Sequence, residues 1–378
     1  MEKSNTSKKN ANAELLRLIA MCMIIMLHAL DKGDSLAKIY EGNAVNVGIA
    51  WFLEALSAPA VNIFMLLSGY YLSKSGFKLG RLIELVAMTL FYSVGALIVC
   101  LPLGIDSLKG RTFNDLLYYF FPIHNRLYWF MTVYIVIFLF TPLINRGIAA
   151  LNKWQHGAVI VMLIIYASVF KSFLPGRFEP DDRGFSFLWL LTVYVIGAYF
   201  RNYGFGRITG SVTGGTLLYV ICSLCVFAEE VLIQIINGKT GHLMWALEVS
   251  YDYNHLLLLG SAIGLFAAFM NRREIKEGAS RVICALSPMA LGIYLVHENL
   301  SIRYDWQGWL GVKDILSLNP ALFVARLLLA VAAVFVCGIL IDFIRIKLFK
   351  LIASALKDRA PGRAIADFNE KMNDEHRQ

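Results

Sequence analysis

Residues 15–30, LLRLIAMCMIIMLHAL, read as a helix that crosses a membrane: every side chain is apolar except Arg17 and His28, which stand near opposite ends. A bilayer offers no water to backbone groups, so a chain crosses it as helices or as a closed barrel, and a helix needs about 20 mostly apolar residues. Nine further windows of this kind follow, at about 47–72, 82–103, 127–144, 158–173, 185–200, 217–236, 256–270, 282–300 and 321–349. Those at 158–173, 185–200 and 256–270 are short. Asn319 and Pro320 read as the N-cap and first turn of the last, which is long enough to tilt or to run past the bilayer.

The sequence therefore predicts an all-α fold, a polytopic integral membrane bundle of about ten transmembrane helices. With 58% hydrophobic and only 16% charged residues, the chain has little from which to build a separate soluble domain. Residues 1–356 read as a single transmembrane domain and 357–378 as a short charged cytoplasmic tail, a solvated or frayed helical end. Lys and Arg collect in short cytoplasmic loops. Alternate connections carry Lys74, Lys78, Arg81, Arg146, Lys153, Arg201, Arg207, Arg272, Arg273, Lys276 and Arg281, and the ends carry Lys3, Lys8, Lys9 and Arg345 to Arg377, so both termini are expected in the cytoplasm. The opposite connections, such as 31–41 and 239–252, mix fewer bases with acids. The net charge of +8 thus follows from topology, and no nucleic-acid partner is implied. The longest outer connections, 106–126, 171–184 and 302–319, are rich enough in aromatics to shape a mouth. The first span has no convincing cleavage site and is retained.

All six cysteines fall inside expected spans, where a thiol behaves as a small apolar group. Cys222 and Cys225 have CxxC spacing but no second ligand pair, so no metal site is expected. Ionisable residues within spans carry more information, because they are costly there and usually face a protein interior or a wet cavity. His28 follows Arg17 by eleven residues, close to three turns, so the two share a face about 16 Å apart along the axis. Snorkelling of Arg17 to the headgroups explains that residue alone. The expected topology then places His28, Trp129, Glu229, Glu230, His297, Glu298 and Arg326 in one outer polar layer, with Ser68 and Gly69 near the depth of Arg17. Singly these have plainer explanations: an interface belt for Trp129, a close helix contact for Ser68 and Gly69, helix-end charges for Glu229 and Glu230. Paired imidazole and carboxyl at His297 and Glu298 are harder to ascribe to packing.

The segment ELLR at 14–17, ten intervening residues and His28 resemble the first-helix motif of membrane acyltransferase family 3. NIFMLLSGY at 62–70 resembles its second-helix segment, LYWFM at 127–131 its LWF segment, and LGIYLVHE at 291–298 its late YLxH segment, all in the family's order. The resemblance extends over nearly the whole membrane region and lies closest to members that modify exopolysaccharides or other surface glycans. An extra esterase-like domain, which some members carry, is not expected here. The resemblance implies transfer of an acyl group, usually acetyl, from cytoplasmic acyl-CoA to a hydroxyl of an extracytoplasmic or lipid-linked glycan, by a multi-pass protein of the bacterial plasma membrane. Acetyl-CoA enters as a substrate, with no bound cofactor.

In that reading Arg17 orients the anionic donor, aided by Ser68, because a guanidinium is a fixed cation matched to phosphate. His28 is the general base, or forms an acyl-histidine. His297 and Glu298 assist it, and Trp129, Glu229, Glu230 and Arg326 bind the acceptor. A transporter or flippase of a small solute or lipid-linked sugar is the rival reading, although no pair of Gly- or Pro-broken spans marks two halves. A glycan polymerase would call for a larger outer loop. No Walker A loop, Rossmann fingerprint, HExxH or GxSxG motif is present.

Overall fold

The computed structural model describes residues 10–41, 43–105, 112–174, 182–356 and 359–374. It is 77% helix, with no strand among the described residues. Lys3, Lys8, Lys9, Lys357, Arg377 and parts of the 106–126 and 171–184 connections lie outside them.

Helix α1 spans Ala11–Asp31, and its first free amides, those of Asn12 and Ala13, donate to the Asn10 side chain. The second crossing is made of α2 (Ala44–Ser57), capped in the same way by Asn43, and α3 (Ala60–Leu72). Then come α4 (Leu79–Cys100), the short α5 (Phe113–Leu117) and α6 (Trp129–Ala149). The fifth crossing joins α7 (Lys153–Ile164) to α8 (Phe170–Phe173) through a π-helical turn. After α9 (Phe187–Tyr203), α10 (Val212–Thr240) and α11 (Leu256–Met270), the ninth crossing is α12 (Glu277–Leu286) and α13 (Ala290–His297). The one-turn α14 (Trp306–Trp309) precedes α15 (Pro320–Leu356), whose third residue's amide, Leu322 N, donates to Asn319 Oδ1 at 2.9 Å, as the sequence led us to expect.

Nine helical stretches among the described residues are long and apolar enough to cross a membrane. The remaining expected span, 185–200, forms α9, a single helix of 17 residues. At about 1.5 Å per residue it reaches roughly 26 Å. Its length has a physical reason: Trp189, Leu190, Val193, Tyr194 and Ala198 are all buried, so neighbouring helices rather than lipid surround it. Two further features differ from expectation. Pro59 separates α2 from α3, and a turn containing Pro288 separates α12 from α13, so proline-broken spans do exist. The tail, expected as a frayed end, forms α16 (Ala360–Asp374) and docks on the start of α4. Asn369 Oδ1 accepts from Leu79 N at 2.7 Å, and Asn373 accepts from and donates to the Phe77 backbone at 3.0 Å.

Helix α1 is the hub: it packs against α2, α3, α11, α12, α13 and α15 and is buried along most of its length. Outer helices turn large apolar side chains such as Ile98, Leu329 and Leu351 away from the bundle, the pattern of a lipid-facing surface. The tightest crossing, α3 on α9, depends on two glycines. A Cβ at Gly69 would lie 2.0 Å from Tyr194 O, and one at Gly197 would lie 2.3 Å from Leu66 O. Gly69→Ala and Gly197→Ala should therefore each lower stability by about 1–3 kcal/mol, read as earlier thermal unfolding of the detergent-solubilised protein. Gly95→Ala, where nothing lies within 4 Å, should leave it unchanged.

Candidate active site

The last turn of α1 meets the end of α13. Helix α13 stops because Glu298 leaves helical geometry (φ −91°, ψ 9°) and the chain turns at Asn299. Asn299 pins that turn, donating to Tyr92 O at 3.0 Å and to the Tyr128 hydroxyl at 2.6 Å. His297 and Glu298 are thereby aimed at α1 side by side. His28 Nδ1 lies 3.0 Å from His297 Nε2 and 3.4 Å from Glu298 Oε1, and Lys32, one turn further along α1, pairs directly with the same Glu298 oxygen.

The protons in this cluster follow from one bond. His297 Nδ1 sits 2.7 Å from Ile293 O, and a carbonyl only accepts, so Nδ1 carries the hydrogen. Neutral His297 then presents a lone pair at Nε2, which takes the hydrogen of His28 Nδ1. The Glu298 carboxylate requires the same hydrogen on Nδ1. With Nδ1 so committed, a neutral His28 ring keeps its lone pair on Nε2, the tautomer of a general base. Lys32 pairs directly with the Glu298 carboxyl and compensates its charge. Glu298 is thus an anion at neutral pH.

His28 lies where two cavities meet. One is a narrow, mostly apolar slot lined by Met21, Ile24, Val61, Phe64, Phe130, Leu291 and Tyr294. Met21, Ile24 and His28 follow each other at helical spacing on one face of α1, so the slot runs along α1 from His28 to Met21, and Arg17 stands one turn beyond it on the same face. The other is a wide polar vestibule of about 570 Å³, within the range of small-ligand sites. Trp129 and Tyr253 border both and stack with ring centroids 5.8 Å apart, and Phe185 packs against Trp129 at 4.5 Å. Asn62 holds this group in place: it donates to Tyr253 O at 2.8 Å and accepts from Trp189 Nε1 at 2.9 Å.

Of the residues singled out in the sequence, His28, His297, Glu298 and Trp129 converge here. Arg17 sits at the far end of α1, paired with Glu14. Ser68 donates to Phe64 O at 2.8 Å within its own helix. Glu229 lies 3.6 Å from the buried His255. Glu230 is wholly buried and accepts from Gln234 Nε2 at 2.9 Å and Glu248 N at 2.8 Å, which supports a loop. Arg326 donates to Gly311 O at 3.1 Å. None of the last three lines the vestibule.

Sequence reasoning passed over Lys32, Glu54, Tyr253 and Arg303, all of which line the vestibule. Glu54 Oε2 is buried without a hydrogen-bond partner among the described residues. Its signal was present, an acid inside the 47–72 window. Lys32 and Arg303 read as loop charges, and nothing in their spacing places them beside Glu298.

A family model described as an acyltransferase domain matches residues 10–342, nearly the whole chain, and the chain belongs to acyltransferase family 3. No curated protein and no solved structure matches it. Membership supports an acyltransferase of the membrane, with an acyl donor and a sugar-like acceptor, over a transporter or flippase.

Glu298→Gln should destabilise the detergent-solubilised protein at pH 7 by about 3 kcal/mol, because it leaves the Lys32 charge buried and unmatched.

Proposed function

We propose that this member of acyltransferase family 3 moves an acyl group, acetyl from acetyl-CoA, to a hydroxyl of an extracytoplasmic or lipid-linked glycan, with His28 as general base and Arg17 as the cation that orients the donor. The observation that carries the reading is the position of His28. Its Nδ1 is committed to His297 and Glu298, and the residue borders both the slot that runs along α1 and the polar vestibule.

The donor enters from the basic end of the bundle, which is the cytoplasmic side in this reading, with both termini there and the plasma membrane of a bacterium around it. Arg17 faces that end, and Arg201, Arg272 and Arg273 belong to the same side of the topology. There the guanidinium holds CoA phosphate while the pantetheine arm runs along the Met21 and Ile24 face of α1 toward His28. The acceptor occupies the vestibule, one sugar face against Trp129 and Tyr253, with a hydroxyl donating to the free Glu54 oxygen.

His28 Nε2 takes the proton of the attacking hydroxyl as its oxygen bonds to the thioester carbonyl carbon. The carbon–sulfur bond then breaks and the proton passes to the CoA sulfur. Glu298 stabilises the imidazolium between these steps, as the carboxylate of a Ser-His-Asp triad does. The acyl group passes directly to the acceptor in this sequence.

O-acetyl content of surface glycans, measured by proton NMR or mass spectrometry at matched membrane levels, tests the reading. His28→Ala should lower the rate of acetylation by about 10² to 10⁴. Arg17→Ala should be partly restored by raised acetyl-CoA in isolated membranes. Unchanged acetylation in His28→Ala would remove the base from the mechanism, and no change in acyl content on full deletion would remove the reaction.

A further inference from the structure

The general base lacks a counterpart in the mechanism so far: as the hydroxyl attacks, the carbonyl oxygen gains a negative charge, and in a water-poor slot that charge needs a positioned donor. Tyr294 lies on α13 three residues before His297, is 4% exposed, and lines the same narrow slot as His28. Its hydroxyl is buried and has no hydrogen-bond partner among the described residues. Two other buried tyrosine hydroxyls are engaged: Tyr92 donates to Asp342 at 2.6 Å, and Tyr128 accepts from Asn299 at 2.6 Å.

A buried hydroxyl without a partner is destabilising, whereas phenylalanine would fill the same space at no such cost. The ring is held by edge contacts with Tyr128 at 6.2 Å, Phe130 at 6.1 Å and His297 at 6.2 Å, so the hydroxyl is carried on a fixed support. A donor kept free, rigid and within the slot that the base borders suits a partner that exists only while substrate reacts.

Building on the acyl-transfer reading, we infer that Tyr294 is a catalytic residue, the donor to the oxyanion of the tetrahedral intermediate. The acceptor oxygen bonds to the carbonyl carbon, the π electrons move to the carbonyl oxygen, and the Tyr294 O–H donates to that oxygen without giving up its proton. His28 holds the proton removed from the hydroxyl. On collapse the carbonyl re-forms, the carbon–sulfur bond breaks and the thiolate receives the proton from His28. Tyr294 remains a neutral phenol throughout.

The test uses membranes containing the full chain as wild type, Tyr294→Phe or His28→Ala, with radiolabelled acetyl-CoA as donor and the endogenous membrane glycan as acceptor. For Tyr294→Phe the maximal rate of label incorporation should fall by about 10² to 10³, the range for loss of one oxyanion donor. Half-saturating acetyl-CoA should change by less than about threefold, and thermal unfolding should be unchanged or later, since the substitution removes an unsatisfied group. A wild-type rate in Tyr294→Phe, alongside an inactive His28→Ala, would overturn the oxyanion assignment and leave the acyl-transfer reading standing. So would a loss of rate accompanied by earlier unfolding or by a proportionate rise in half-saturating acetyl-CoA, since either marks a structural or ground-state role. Equal incorporation by wild type and His28→Ala would instead overturn the reading on which the assignment rests.

Discussion

A carboxylate almost out of contact with solvent governs the geometry of the site. Glu298 is 7% exposed at the end of α13, where an isolated charge would be prohibitive. Its compensation comes from another helix: Lys32 and His28, one turn apart on α1, both reach the same oxygen. Sliding α1 past α13 would strand a buried charge, so the pairing fixes the register of the two helices. Asn299 adds a second lock by tying the turn after Glu298 to Tyr92 and Tyr128. The orientation of the His28 ring follows from these constraints, and with it the nitrogen left for chemistry.

That anchoring also explains why two unlike cavities can share one imidazole. On one side α1 presents Met21 and Ile24 to a narrow apolar slot. On the other, acids, bases and aromatic rings surround a space of about 570 Å³ that suits a hydroxyl-rich ligand. Trp129 and Tyr253 stand between them, braced by Phe185 and by Asn62 from α3. In the proposed reaction this division would bring donor and acceptor from opposite sides to His28. It also gives the Asn62 to Tyr70 segment two tasks, support of the aromatic wall at one end and the glycine crossing onto α9 at the other.

The helices were legible because a bilayer forces backbone groups to satisfy themselves within each span, so length and hydropathy alone locate most of them. Where neighbours rather than lipid surround a helix, that rule loosens, as at the 17-residue α9. The docking of the C-terminal tail was not legible because its charges dominate its composition, while the two asparagines that dock it, Asn369 and Asn373, look like ordinary polar residues. In the site, the spacing of Arg17 and His28 and the pairing of His297 with Glu298 stood out. Glu230 stood out equally, yet its oxygens serve the backbone of Glu248 and the Gln234 side chain. Intramembrane charge therefore marks importance without separating ligand binding from loop support. Lys32, Arg303 and Tyr253 come from connections or helix ends, and only the folded chain brings them to His28. Tyr294 was quoted within a motif but carried no chemical signal until its hydroxyl was seen to lack a partner.

The central claim is that His28 is held with hydrogen on Nδ1 and a lone pair on Nε2. Two-bond proton–nitrogen NMR of the ¹⁵N-histidine-labelled protein in nanodiscs, with the His28 signals assigned by comparison with His28→Asn, measures this directly. At neutral pH the account predicts the Nδ1–H tautomer for His28, converted to a mobile mixture of tautomers when Glu298 is replaced by Gln and His297 by Ala together. An Nε2–H tautomer, or a fully protonated ring in the resting wild-type protein, would contradict it.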